Sequence, residues 1–390
     1  MDIEKNHDDG SPELSLKKQP SLQLATNGSN EEYTERDRKD GDEALKAFEG
    51  HEGEEILLTP EIERKLLRKI DLNIMPMLCT VYALNYLDKV TLSYSSIMGL
   101  QKALHLTSDN YQWLGSMFYI GYLFWEFPTG RLLQRFPLGK WSGINIVLWG
   151  VAVACMAATR NFTDAVAVRF FMGVFEAAVT PGFALFTSQW YTRQEQGLRV
   201  AIWFSFNGVA QIVGGALAYG ISTSVEKYGN SAVLPAWKII FVVTGPVTIA
   251  VGALFIWLMP DNPMNAWFLT PEEKLQAVER IRRNQQGVGN KRWKGYQFKE
   301  ALMDPMTWLL FLFMAIANIP NGLGTFFSQL IVSFGFTPDQ SLLYGTPGGG
   351  VEVIFLILFG WLGARYDNRL LFGASGILTA SNNPIPLFLP

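Results

Sequence analysis

The sequence predicts an all-α, polytopic membrane protein: a helical bundle with a six-helix N-terminal half and a shorter C-terminal part. Three observations predict it. Apolar stretches long enough to cross a bilayer recur after residue 70. An acidic, polar head precedes an apolar body with a basic excess. Basic residues fall in alternate loops of that body.

The head covers 1–63 and carries 18 acidic against 7 basic residues, a net charge of −11. Few apolar residues follow one another there, so it cannot bury enough surface to offset ordering entropy and is expected to be a disordered tail. Its first 50 residues hold no apolar signal-peptide core. The remainder carries 17 acidic and 25 basic residues, a net of +8.

Six apolar spans make up the first half, 64–259: 74–99, 113–133, 141–158, 165–186, 200–223 and 239–259. A polar central stretch, 260–304, follows. Within it Thr270, Pro271 and Glu273 form a capping box with proline at the first helical position. Leu275, Val278 and Ile281 then recur on one face, which predicts an amphipathic helix lying along the membrane surface. The C-terminal part, 305–390, offers spans at 306–331 and 342–362, and a weak ninth at 370–389 interrupted by Pro384 and Pro386.

Lys/Arg placement sets the expected orientation. Arg64, Lys65, Arg68 and Lys69 enter the first span; Arg131, Arg135 and Lys140 follow the second; Arg193 and Arg199 follow the fourth; Arg365 and Arg369 follow the eighth. The loops between them are close to neutral. All basic loops lie on the side of the N-terminus, which is therefore expected in the cytoplasm, with the chain multi-pass in the plasma membrane. Asn161 opens an Asn-Phe-Thr glycosylation sequon on the opposite side.

Charges inside the spans are the candidate functional residues, because a midspan charge costs about 2.5–3.5 kcal/mol on insertion scales. Arg169 and Glu176 lie two helical turns apart on one face of the fourth span, about 10 Å along its axis, a spacing that suits a cavity better than a direct pair. Asp88 and Lys89 sit in the first span and point about 100° apart, so they need not pair with each other. Lys89 and Arg169 favour an anionic substrate, and arginine offers a fork for carboxylates. Asn207 and Gln211 share a face of the fifth span, Asn318 lies in the seventh and Glu352 in the eighth. The amides serve either substrate binding or helix–helix ties. The three histidines (His7, His51, His105) all lie outside the spans, so proton coupling falls to a carboxylate: Asp88, Glu126, Glu176 or Glu352. Glu126, late in its span, also suits snorkelling, and Asp88 also suits a structural partnership with another helix.

Residues 130–135 and 360–365 repeat Gly-x-x-x-x-Arg, with Gly130, Arg135, Gly360 and Arg365 at equivalent helix ends six spans apart. Repeated halves around a midplane site are transporter design. No phosphate-binding loop, zinc-hydrolase motif or nucleophile elbow occurs, so ATP-driven transport and these enzyme classes are not indicated. Cys79 and Cys155 form no disulfide framework or metal spacing. No cofactor and no nucleic-acid partner is expected, and the chain is expected to be monomeric.

Four stretches carry a family resemblance: 85–92 (Asn-Tyr-Leu-Asp-Lys-Val-Thr-Leu), 125–130 (Trp-Glu-Phe-Pro-Thr-Gly), 169–182, and 260–266 (Pro-Asp-Asn-Pro-Met-Asn-Ala). In them, and over about residues 56–370, the chain resembles major facilitator superfamily transporters, in particular the fungal allantoate permease group of anion:cation symporters. The resemblance implies a twelve-helix bundle, of which this chain supplies eight spans and a weak ninth. It implies proton-coupled uptake of a small organic anion such as allantoate, nicotinate or pantothenate. By the same likeness Lys89, Arg169 and Glu176 are substrate and proton residues. The sequence departs from the family with Lys89 where arginine is usual, and with Gln134 where the loop after span two prefers Asp. A proton antiporter exporting a metabolite, or a transport-inactive truncated membrane protein, remains the alternative.

Overall fold

A computed structural model describes residues 58–229, 234–282, 295–319 and 321–366. The acidic head up to residue 57 and the expected ninth span lie outside these residues.

The helix α1, Pro60–Ser95, starts where the Thr59 hydroxyl accepts from the Ile62 amide, with Pro60 in the first turn and Glu61 and Glu63 beside it. It passes through Pro76 and ends in a π-helical segment, Ser96–Leu100, where Gly99 turns the chain at φ +109°. The first half continues with α2, Ser108–Arg135, α3, Leu138–Met156, α4, Phe162–Glu176, α5, Val179–Trp190, α6, Arg193–Tyr228, and α7, Ala236–Leu258. Then come α8, Pro271–Arg282, α9, Gly295–Met303, and α10, Pro305–Asn318. A single turn at Asn321–Gly324 leads to α11, Phe327–Ser333, α12, Pro338–Tyr344, and α13, Thr346–Tyr366.

Five of these segments are long and apolar enough to cross a membrane: α3, α4 with α5, α6, α7, and α12 with α13. The pair α9–α10, bent by 70°, makes a sixth if taken as one broken span. The expected spans 74–99 and 113–133 lie within α1 and α2. Those helices have the length, at 36 and 28 residues, but Asp88, Lys89 and Glu126 and many tyrosine and small polar residues dilute their apolar runs.

Three expected spans differ from a single continuous helix, the eighth by a break at Gly345 between α12 and α13. Residues 306–331 divide into α10, the turn and α11; Pro320, Gly322 and Gly324 are poor helix formers at that place. The fourth span divides at residues 177–178 into α4 and α5, just after Glu176.

In the first half α3 packs along α7, α2 along α4, and α1 along α6. The α2–α4 seam brings backbones together: a Cβ on Gly173 would stand 2.0 Å from the Phe118 carbonyl oxygen, and one on Gly121 2.2 Å from that of Phe170. The central core is aromatic, with Tyr82, Phe183, Trp203 and Phe255 in ring contact. Asp261, just beyond α7, accepts from the Gly139 and Lys140 amides (2.9 and 3.3 Å) and so caps the start of α3.

The second part leans on the first through α6 and α13, which cross where Gly208 and Gly349 meet. A Cβ on either would lie 2.2–2.4 Å from the other's carbonyl oxygen. By contrast, every described residue of α10 is exposed, and in α13 only Gly349 and Gly363 are buried.

The two ends of the bundle are held by different chemistry. At the end where α1 begins, the described contacts are ion pairs: Lys69–Glu273 (2.5 Å), Arg199–Asp71 (3.0 Å) and Arg280–Glu195. These join α1, α6 and the surface helix α8, whose capping box forms as expected: the Glu273 carboxylate accepts from the Thr270 amide and the Thr270 hydroxyl from the Glu273 amide. At the far end the links are hydrogen bonds without an ion pair among those described. Ser93 and Ser328 bond through their hydroxyls (3.1 Å), Tyr111 donates to the Thr325 carbonyl (2.8 Å), and Ser222 donates to Asp339 (2.8 Å).

Candidate functional site: a charge cluster on α1 and α4

One turn of α1 and one face of α4 bring four opposite charges together inside the bundle. Lys89 Nζ lies 2.9 Å from Glu176 Oε1 and donates to Asn85 Oδ1, also at 2.9 Å. Glu176 is fully buried, whereas the Lys89 side chain is 32% exposed. The pair therefore joins a fully enclosed carboxylate to a lysine whose side chain is half-buried. It also stands at the break between α4 and α5, where the chain turns past Glu176 before Thr180; Tyr82 and Tyr122 both reach the Thr180 hydroxyl.

Asp88, the next residue round the helix, points elsewhere. It is buried, and its Oδ2 accepts from the Trp149 indole on α3 at 3.3 Å. Its strongest opposite charge is Arg169. Arg169 is itself enclosed in the α2–α4 seam: its Nε donates to the Leu114 carbonyl at 3.3 Å and its guanidinium lies 5.2 Å from the Phe118 ring centroid. The separate directions expected for Asp88 and Lys89 are what the helix gives. Arg169 and Glu176 do not bond to each other, but neither lies open to a cavity in this conformation. Of the four, only the Lys89 side chain is partly exposed.

The other expected residues are distributed more widely. Gln211 donates to the Gly345 carbonyl at 3.0 Å, tying α6 to the start of α13. Asn207 is buried beside the Gly208–Gly349 crossing and reaches Glu352, which is half-buried. Tyr86 feels both Lys89 and Glu352, so that carboxylate faces the cluster from the second part. Asn318 is not brought to the site: its side chain is exposed and its amide folds back on the Met314 carbonyl. Glu126 is also exposed. The two Gly-x-x-x-x-Arg repeats pack differently. Gly130 has open space around it, whereas a Cβ on Gly360 would stand 2.4 Å from that of Ala201. Arg135 is exposed and Arg365 lies over the Trp361 ring at 5.6 Å. Asn161 is exposed and caps α4, its side-chain oxygen accepting from the Asp164 amide at 2.8 Å.

Sequence reasoning passed over Asn85 and Trp149. Asn85 was within reach of it, since it stands four residues before Lys89 on the same helix face. Trp149 carried no such signal, because its partner lies 61 residues away.

A bundle of membrane-length helices around buried, mutually compensating charges defines a polytopic membrane protein of transporter architecture. Residues 78–382 match the family model described as Major Facilitator Superfamily, and the chain belongs to that family. It is 44% identical over 318 residues to an uncharacterized transporter of Schizosaccharomyces pombe, covering 80% of this chain and 61% of the relative. It is 42% identical over 334 residues to the allantoate permease of Saccharomyces cerevisiae, covering 84% and 60%. The chain thus spans about three fifths of the length of these relatives. Among solved structures, a bacterial homologue of the human lysosomal transporter Spinster, inward-facing and unoccupied, is similar with a TM-score of 0.54 and 17% identity. That match covers 80% of this chain and 64% of the other and shows the fold.

Proposed function

We propose that the chain acts as a secondary transporter, bringing a small organic anion across the plasma membrane together with a proton. The observation that carries this reading is the buried Lys89–Glu176 contact, 2.9 Å long, between a fully enclosed carboxylate and a half-buried lysine side chain. An ammonium has three donors. Asn85 and Glu176 take two, and a substrate carboxylate competes with Glu176 for Lys89. Protonating Glu176 removes its charge and frees Lys89 for the anion, so one proton and one anion enter together. Asp88 with Arg169 holds a second balanced pair beside it, and Glu352 faces the same space from the second part. The similarity to an allantoate permease supports a carboxylate substrate of that kind, and the basic loops support a cytoplasmic N-terminus.

Uptake of labelled allantoate by cells expressing the chain tests this. Accumulation is expected to rise when the outside is acidified and to be lost in Lys89→Ala and Glu176→Gln. Uptake indifferent to outside pH, or faster loss of preloaded allantoate at acid pH, would overturn coupled import.

A further inference from the structure

Asn85 lies one turn before Lys89 on α1, is buried, and accepts from Lys89 Nζ at the same 2.9 Å distance as the Glu176 contact. The lysine stem has four rotatable carbons, and its ammonium faces Glu176 from α4, Tyr122 from α2 and Tyr82 from its own helix. Glu176 is the contact the substrate displaces. Without another fixed acceptor, the released ammonium would be free to change rotamer on its flexible stem.

We infer that Asn85 is a positioning residue that keeps Lys89 aimed at the anion when Glu176 lets go. This rests on the reading of Lys89 as the anion-binding cation. Asn85 suits the task for three reasons. It is neutral, so it does not compete with the anion as a charge. It is an i−4 neighbour, so its geometry stays fixed while α4 moves. It is enclosed, so water does not replace it cheaply. Asn85 thereby lowers the ordering cost of the longest side chain at the site, a cost that otherwise weakens binding.

Two measurements on the detergent-purified full chain test the inference: calorimetric titration with allantoate, and the rate at which acetic anhydride modifies Lys89, followed by mass spectrometry. Asn85→Ala is expected to weaken allantoate binding about tenfold or more, the effect of one hydrogen bond to a charged group. It is also expected to speed Lys89 acetylation several-fold. Asn85→Gln, which keeps the amide acceptor, is expected to recover both, an outcome that a merely structural role would not give. Should Asn85→Ala fail to reach the membrane, Asn85→Ser takes its place with the same expectation. Unchanged binding and unchanged acetylation in the alanine variant overturn the role of Asn85. Undiminished allantoate binding in Lys89→Ala overturns the site reading instead, and the acetylation rate still judges Asn85.

Discussion

At the scale of single residues, Asp88 and Arg169 are two buried charges of opposite sign that compensate one another without a direct bond. Removing Arg169 strips a buried carboxylate of its strongest counter-charge. Arg169→Ala is therefore expected to lower the melting temperature of the purified protein, and Asp88→Asn in the same chain to restore part of the loss. Equal melting of the single and double variants would show that the two charges are independent. Gly173→Ala offers a second test, because its Cβ has nowhere to go against the Phe118 carbonyl, while Gly130→Ala meets open space. The first is expected to reduce folded protein on a size-exclusion profile and the second to leave it unchanged. Much of this cluster is legible in the sequence, because charges in an apolar run are too costly to be incidental. What the sequence withheld is how tightly each charge is enclosed. That depends on the closeness of the α2–α4 seam, and therefore on glycines from two distant stretches meeting.

For the helices, α8 is the clearest case of local signals surviving into the fold. The cap at Thr270 and the apolar repeat both predict it, and the helix forms with Val278 and Ile281 buried. Its docking was not legible, since Lys69 stands 204 residues before Glu273. Slight burial pushes the Glu273 carboxyl up, but the Lys69 ammonium and the Thr270 amide and hydroxyl outweigh it and hold it below its ordinary value. A depressed carboxylate stabilises the docked state above its unfolded pKa, about 4.3, and loses that contribution as pH falls through the lower folded value. Hydrogen exchange across 271–282, corrected for intrinsic rate, is therefore expected to speed up between pH 6 and pH 3, and Glu273→Gln to show the faster exchange already at pH 6. Equal protection in variant and parent would sink the idea. The seventh span shows the converse. Hydropathy alone predicts one helix over 306–331, and the helix breakers at its centre prevail.

Across the whole molecule, the far end is joined by hydroxyl and carbonyl contacts between the two parts, while the near end pairs charges within the first part and its surface helix. Opening the far end breaks a handful of hydrogen bonds, each worth about 0.5–1.5 kcal/mol net and the one to the Asp339 carboxylate about 1.5–3 kcal/mol. A disulfide there should stop the cycle: Ser93→Cys with Ser328→Cys is expected to abolish allantoate uptake when oxidised and to recover it on reduction. Full uptake by the oxidised protein would show that this end need not open. The fold class was readable from span lengths and loop charges. The closure was not, because serine, threonine and carbonyl contacts leave no pattern in a sequence.

The crossing of α6 and α13 carries a consequence for motion. At Gly208 and Gly349 main chain lies on main chain, with no side chain between them. Two helices that interlock through large residues must unseat several rotamers to turn past one another. Here the backbones themselves touch, and the Gln211–Gly345 bond and the Val353 side chain beside Gly208 fix the joint around that point. Adding one methyl group at either glycine would wedge the two helices apart, and those neighbouring contacts would be the first to give way.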